Sequence, residues 1–587
     1  MPTDNVINRN FEDLFSSPVR YEIPFFQRGY AWEQRQWKKL FEDIQIEIID
    51  SVENNDFDNE EHFFGPIVVL EKISNHPSLK RFLVIDGQQR ITTSYLLLAL
   101  IKKQLAEKAH LSTNAQAYVA ELENLLINKV SGSDDYLKLK VFSTKGDRLP
   151  TYKALFDSNP KSPYLNDDQQ LYDPNSNKID EFVKFVIKRI KPLDVPQLRQ
   201  LYLAIIKSLK IVWIPLDETK DDAQAIFESL NDAGMPLSAS ELLCNYIFRP
   251  LTNDTTNEHE KLHNEKWLAA RKLVGENNFE EYLRNLFSLG EKKRVGKERR
   301  MYVHFKIKNK KLTATSAKST LDKIFDYTTL YNQITKPIQI PHAVEKIKSI
   351  LILISNTNMS SINPFLMGLL KAFDNGTIDE DETIGVLRET YVLLVRRKVT
   401  KLPVTKYDTF FPGLIDKIIN EPNKVKAFQT QVQTEQLWVG DQIFEDAFLT
   451  KEVYNSRELN FSRLILQELD KNLQSFGELP DYSTIHSIEH ILPQTLDDHW
   501  RNYLGADASN INLPTIVNTI GNLSLNSGSA NSSFGQKPFS EKQKAYTDAC
   551  ALARDVKQRQ ETWNIAAIEK RSADLSKVAL KVWKWDT

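Results

Sequence analysis

The chain has 587 residues, enough for about three to four domains at roughly 150 residues each. Its hydrophobic (41%) and charged (26%) fractions are those of an ordinary globular protein. With 76 Lys and Arg against 78 Asp and Glu the formal net charge is -2, which excludes a uniformly basic nucleic-acid coat and an acidic disordered tail.

Two cysteines, Cys244 and Cys550, exclude a disulfide scaffold or a four-cysteine zinc knuckle and suit a reducing compartment. The start carries no basic segment followed by an apolar one. The most apolar runs, residues 94–101 and 349–354, fall well short of the ~20 residues that span a bilayer. A cytoplasmic protein without membrane contact is the expectation.

In chain order, RYEIPF (residues 20–25), FFGPIVVLEK (63–72) and RFLVIDG (81–87) are short, β-branched and bounded by turn residues, and predict strands. A helix follows from residue 88, QQRITTSYLLLALIKKQLAEK. Most of residues 94–210 reads as helix, with a polar loop or insertion at 157–178. A further strand, LKIVWIPLDE (209–218), leads to two helices around a Gly-Met-Pro turn. Ser238 and Glu241 have capping-box spacing for the second. Residues 265–475 read as almost wholly helical. The fold class expected is α+β, predominantly helical, in three domains: 1–250, 251–440 and 441–587.

Two N-terminal motifs carry chemistry: Q-R-G-Y-A-W at residues 27–32 and I-D-G-Q-Q-R at 85–90. Phosphate binding needs close backbone approach, N–H donors and a cation. Gly87 supplies the first, the following helix N-terminus the second and the Arg90 guanidinium the third. Asp86 suits a metal ion or a water. Gln88 and Gln89 suit a base, a ribose or an attacking water. Gln27 and Arg28 follow a strand and are expected at the same site, with Tyr30 and Trp32 packing beneath it or stacking on a base. The plainer account is a strand-to-helix turn with Arg90 in a surface ion pair.

IPFFQRGYAW, FFGPIVVLEK and FLVIDGQQRITTSYLLLALI, with the later IFESLNDAGMPLSASELLCNYIF, resemble the GmrS-type domain, a relative of the ParB/sulfiredoxin-like nucleotide-binding fold. The resemblance implies NTP binding and hydrolysis at Gln27, Arg28, Asp86, Gln88, Gln89 and Arg90. Asn231 matches a recurring polar position, which a helix C-cap explains equally well.

Near the C-terminus, H-S-I-E-H at residues 486–490 matches the inverted zinc-protease motif, which needs a long helix; Pro480 and Pro493 bracket the segment. The other reading is an HNH, or ββα-metal, nuclease. That chemistry needs a general base on a first strand, a carboxylate beside it for a divalent ion, a second ligand on a following helix, and an asparagine that fixes the loop. Here those are His490, Glu489, Asn531 and Asn522. IGNLSL (520–525) is the expected second strand, and Asn531 opens a helix-like stretch. His486 and His499 lie outside the set. Lys537 and Lys542 suit phosphate contact or a solvated helix face.

The nine-residue interval from Asn522 to Asn531 is also that of the HNH domains of CRISPR effector nucleases. IEHILPQ, a Trp, IGNLSL and NSSFGQKPFSEK together resemble the GmrD-type domain more closely. GmrS-like then GmrD-like in one chain resembles the GmrSD-type, modification-dependent (type IV) restriction endonucleases of anti-phage defence. The family implies an NTP-controlled DNase that cuts double-stranded phage DNA carrying hydroxymethyl- or glucosyl-hydroxymethylcytosine. Its cofactors would be Mg²⁺ (or Mn²⁺) and GTP, UTP, CTP or ATP, with a homodimer allowed. A ParB-like nucleotide-switched DNA-binding protein with an inactive nuclease domain, an RNA-cutting toxin and a phosphorothioate-linked nuclease are the alternatives.

Residues 291–311 carry ten Lys or Arg against Glu291 and Glu298, a local balance of +8. Lys292, Lys293, Arg294, Arg299 and Arg300, with Lys537, are the DNA-contact candidates; a solvated face is the alternative. Arg396, Arg397 and Lys398 form a smaller patch, or else pair with acids inside the helical bundle.

Overall fold

The structure is a computed structural model that describes residues 7–52, 56–58, 61–74, 78–130, 134–162, 164–216, 237–251, 258–474, 479–546, 550–559 and 562–585. Asn231 lies outside the described residues. The chain groups into two compact units. One comprises residues 1–268 and 305–321, the other 269–304 and 322–587. The helical stretch expected as a separate middle domain is shared between them. The described residues are mostly helical with a mixed sheet in the first unit and a two-stranded one in the second, an α+β protein. Among the described residues no helix is long and apolar enough to cross a membrane.

Among the described residues the first unit holds six strands: β1 (Ile7–Asn10), β2 (Val19–Glu22), β3 (His62–Lys72), β4 (Lys80–Asp86), β5 (Val141–Phe142) and β6 (Leu209–Leu216), in the order β1-β6-β3-β4-β2-β5. The runs expected at β2, β3, β4 and β6 are found; the edge strands β1 and β5 were not legible. β3 runs antiparallel to β4 and parallel to β6. The register of β3 slips twice, between Phe63 and Gly65 against β6 and between Val68 and Val69 against β4. Such irregularities re-aim nearby side chains; the second lies where Val68 pairs with Asp86, and the first ends at Gly65, beside Arg90.

After β4, helix α1 (Gln88–Glu107) starts from Gly87, whose φ is +89°. Every residue from Ile91 to Lys102 is buried, so this helix is enclosed on every side and serves as the centre of the unit. Tyr95 ties it to its neighbours, donating to Leu126 O (2.8 Å) and accepting from Lys140 N (3.1 Å). Helix α2 (Ala239–Phe248) has the expected capping box: Glu241 N donates to Ser238 Oγ (3.2 Å) and Ser238 N to Glu241 Oε2 (2.8 Å). Within the expected loop at 157–178, Leu165–Leu171 is helical.

The basic window contains helix α3 (Arg299–Lys308). The second unit is a bundle around helix α4 (Glu380–Val399), with α5 (Leu459–Leu473) carrying the chain to a small hairpin. The smaller basic patch ends α4 and is internal. Arg396 is fully buried and donates to Trp583 O (2.7 Å), Val439 O (2.8 Å) and Asp441 (2.7 Å). Lys398 bonds Glu458 at 2.6 Å. Both side chains pair within the bundle, and charge at the helix C-terminus also suits its dipole.

The hairpin pairs β7 (Ser487–His490) antiparallel with β8 (Leu523–Asn526), placing Glu489 opposite Ser524 and His490 opposite Leu523. Helix α6 (Gly528–Phe534) follows, then α7 (Phe539–Ala545) and the long C-terminal α8 (Ile565–Val582). Ser527 caps α6, so Asn531 sits within that helix rather than opening it.

Candidate active sites

On the hairpin, His490 and Glu489 alternate to opposite faces of β7. The His490 Nε2 lies 3.1 Å from Asn518 Oδ1, and the Tyr454 ring stands edge-on at 4.5 Å. Burial, with a smaller contribution from the Lys542 charge, pulls the imidazole down to about 4, so it is neutral at pH 7. A neutral, half-buried imidazole is the form that can take a proton from water.

Glu489 is 5% exposed and its Oε1 accepts from Lys542 Nζ at 2.7 Å. Lys542 also donates to His490 O (3.0 Å) and Ile491 O (3.1 Å). Desolvation lifts the Glu489 carboxyl above its usual range, against the pull of Lys542. Lys542 is fully buried, which corrects the expectation of a phosphate-contacting or solvated lysine: it is the counter-charge of Glu489.

Asn522 is fully buried. Its Oδ1 accepts from Leu492 N (2.8 Å) and Trp563 Nε1 (3.1 Å), and its Nδ2 donates to Leu492 O and Val517 O (both 2.8 Å). The two bonds to Leu492 hold the turn after His490 against the loop before β8, Val517 O closes that loop and Trp563 ties it to the start of α8. Asn522 is therefore a fastener and does not face the surface where a water would react. Asn531 donates to Ser487 Oγ (2.8 Å) and Ile488 O (3.2 Å), while its Oδ1 is buried without a hydrogen-bond partner among the described residues. His486 is exposed and bonds Ser483 O (2.8 Å), and His499 is exposed too. Because residues 487–490 are a strand, the histidine pair of the protease motif does not share a helix face.

The N-terminal motifs come together. Gln89 Oε1 accepts from Ala31 N (2.8 Å) and its Nε2 donates to Gly29 O (3.2 Å). Gln27 Nε2 donates to Val84 O (3.2 Å) and Ile85 O (3.3 Å) at the end of β4. Asp86 and Arg90 lie 3.6 Å apart, and Arg90 Nη1 donates to Pro66 O (2.8 Å). A Cβ on Gly65 (φ +120°) would fall 2.6 Å from Arg90 Nε. One on Gly87 would fall 2.9 Å from Pro66 O. Gln27 Oε1 and Gln88 Oε1 are buried without hydrogen-bond partners among the described residues.

Tyr30 packs beneath the site: it is buried, its hydroxyl lies 2.8 Å from Thr93 Oγ1 and accepts from Trp37 Nε1 (3.0 Å). Of the two readings of Tyr30, packing beneath the site is the one its burial and bonds agree with. Trp32 is half-buried, edge-on to Phe64 at 6.1 Å. Arg28 is half-buried in the same loop.

Two family models match the chain: the GmrSD restriction endonuclease N-terminal domain over residues 11–248 and the C-terminal domain over 438–578. The chain belongs to the GmrSD restriction endonuclease family. No curated protein matches it. Both sites of this GmrSD chain lie within the matched segments, and the family makes it a hydrolase whose substrate is DNA.

Sequence reasoning missed several residues of the two GmrSD segments. Arg571, fully buried on α8, donates to Gly521 O and Leu523 O (both 2.8 Å) and pairs with Asp555 at 2.6 Å. A Cβ on Gly521 would fall 2.1 Å from Ile568 O, so α8 seats directly on the loop that holds Asn522. In the N-terminal unit Asp147 accepts from Tyr30 N (2.6 Å) and Asn177 Nδ2 (2.9 Å). Burial pushes its carboxyl up to about 6. The tight K-G-D turn at residues 145–147 was the only available signal.

Of the DNA-contact candidates, Arg294 is corrected. It is buried, bonded to Glu281, Asn285 (2.9 Å) and Ser360 O (3.0 Å), and holds the bundle together. Lys292, Lys293, Arg299, Arg300 and Lys537 are exposed.

Glu489 and Asn531 offer hard oxygen donors of the kind that bind Mg²⁺. The partnerless amide oxygen of Asn531 fits that use, with Lys542 as the competitor for Glu489. The glycine cradle around Gly87 likewise fits the phosphates of a nucleotide, and the orphaned glutamine oxygens, which only accept, fit the donors of its sugar or base.

Proposed function

We propose that this chain is an NTP-dependent, modification-sensing (type IV) DNA endonuclease with an HNH-type site on the β7–β8 hairpin. It would cut foreign DNA bearing hydroxymethyl- or glucosyl-hydroxymethylcytosine. The observation that carries the reading is the strand–strand–helix set: His490 on β7, the Asn522 fastener before β8, and Asn531 on α6 with its Oδ1 unspent.

His490 takes the proton of the attacking water. Lys542 holds the Glu489 carboxylate, one residue before His490 in the strand. A Mg²⁺-class ion held by Glu489 and Asn531 would supply charge stabilisation at the phosphodiester. In the N-terminal unit Arg28 and Arg90 with the N–H groups after Gly87 hold the NTP phosphates, and Asp86, Gln88 and Gln89 position water or sugar. The nucleotide then sets the conformation or oligomeric state that licenses cutting.

The test is a parallel digestion of modified phage DNA, unmodified DNA and RNA in Mg²⁺, with and without GTP, UTP, CTP or ATP. The expected result is NTP-dependent scission of modified DNA, reduced at least ~10²-fold by His490→Ala, and NTP turnover lost in Asp86→Ala. Undiminished cutting by His490→Ala removes the nuclease site, and unchanged turnover by Asp86→Ala removes the nucleotide site. A second reading, a nucleotide-switched DNA-binding protein with a silent nuclease domain, draws on the Glu489–Lys542 pair, which already occupies one oxygen of the metal-binding carboxylate. NTP turnover without scission favours it.

A further inference from the structure

We infer that Asn518 is a positioning residue that fixes His490 with its proton on Nε2 and so leaves the Nδ1 lone pair to the attacking water; this rests on the nuclease reading above. The orientation of the Asn518 amide is settled by a neighbour that has no choice. Its Nδ2 donates to Pro514 O at 2.9 Å, and a backbone carbonyl only accepts. The amide oxygen therefore faces the other way, where it meets His490 Nε2 at 3.1 Å and Gln494 Nε2 at 2.9 Å. An oxygen acceptor demands a donor, so the imidazole proton sits on Nε2.

Asn518 also fixes the ring from a second side. Its backbone oxygen accepts from Val453 N (2.9 Å) and Tyr454 N (3.1 Å), and Tyr454 is the ring standing edge-on to His490. One residue thus sets both the proton and the plane of the imidazole. Asn518 lies four residues before Asn522, on the same loop that α8 and Trp563 hold in place. The logic is that of a partner that holds a base in one tautomer, where the wrong tautomer costs activity without disturbing the fold.

The full chain is labelled with ¹⁵N-histidine, and two-bond ¹⁵N–¹H couplings are read at pH 8. The His490 signals are those missing from His490→Ala. The expected pattern has the proton on Nε2; a proton on Nδ1 overturns the inference, and this reading needs no Asn518 variant to fold. In parallel, Asn518→Leu removes the acceptor at similar volume and Asn518→Asp retains one. Asn518→Leu is expected to lower kcat by ~10²–10⁴-fold with DNA affinity unchanged, and Asn518→Asp to recover at least about tenfold of it. Equal losses in both variants, or a loss confined to DNA affinity, overturn the role. Cutting by His490→Ala overturns the underlying nuclease reading, and leaves the measured position of the proton standing.

Discussion

Around Gly87 the groups are organised by what is left out: two glycines without a Cβ, two glutamine oxygens without partners among the described residues, and an arginine held by a backbone carbonyl. On the hairpin they are organised by what is filled in: a buried ion pair, a four-bond asparagine and a guanidinium clamping two carbonyls. The first arrangement suits a ligand that brings its own charge and is received by backbone. The second suits a single side chain held still for proton transfer. A cradle fails when something is added to it, and a braced site fails when something is taken away.

The largest expected effect is therefore a removal. Lys542→Met strands the Glu489 carboxylate in a dry pocket and should lower stability by ~3–5 kcal/mol in denaturant unfolding. Adding Glu489→Gln should restore most of that stability and none of the cleavage. A stable Lys542→Met protein would mean the hairpin is not braced by the pair. Next comes an addition. Gly65→Ala pushes a methyl into the Arg90 guanidinium at a positive φ, a strain of about 1–3 kcal/mol. Nucleotide affinity, measured by equilibrium dialysis, should drop about tenfold or more, with cutting recovered at saturating nucleotide. Unchanged affinity would show that the cradle is not where nucleotide sits.

The smallest effect is a pH slope. Asp147 has its carboxyl raised to about 6 in the fold from an ordinary 3.8. Between those values the folded state holds a proton that the unfolded state has released, so its contribution to stability rises as pH falls from 7 towards 4. Replacing it with Asn removes that slope. The stability difference, wild type minus Asp147→Asn, should grow by about 1–2 kcal/mol between pH 7 and pH 4.5. A flat difference would mean that Asp147 is solvated and does not support the loop at Gly29.

The two sites differed in legibility for the same reason. Gln27, Gln89, Asp86 and Arg90 stand in motifs that touch each other, so reading the motifs meant reading the site. β3 and β4 announced themselves through β-branched runs, whereas β1, four largely polar residues, and β5, two residues, carry no periodicity to read. At the hairpin the motif residues were visible, and what holds them was not. Arg571 reaches Gly521 across 50 residues and Lys542 reaches Glu489 across 53. Arg294 shows the converse. It looked like part of a basic surface because its partner Glu281 lies 13 residues back, outside the charged run. Local composition reports charge and not pairing, and pairing decided each of these.

Arg396 has one more consequence. Its guanidinium is satisfied in part by the carbonyl of Trp583, 187 residues later in the chain. At translation rates of ~5–20 residues per second, that bond waits about 10–40 s for its second half to be made. Until then Arg396 holds only Val439 O and Asp441, and α8 cannot set the loop that carries Asn518 and Asn522 before it has been made. The hairpin is thus braced only late in synthesis, long after the residues around Gly87 have been made.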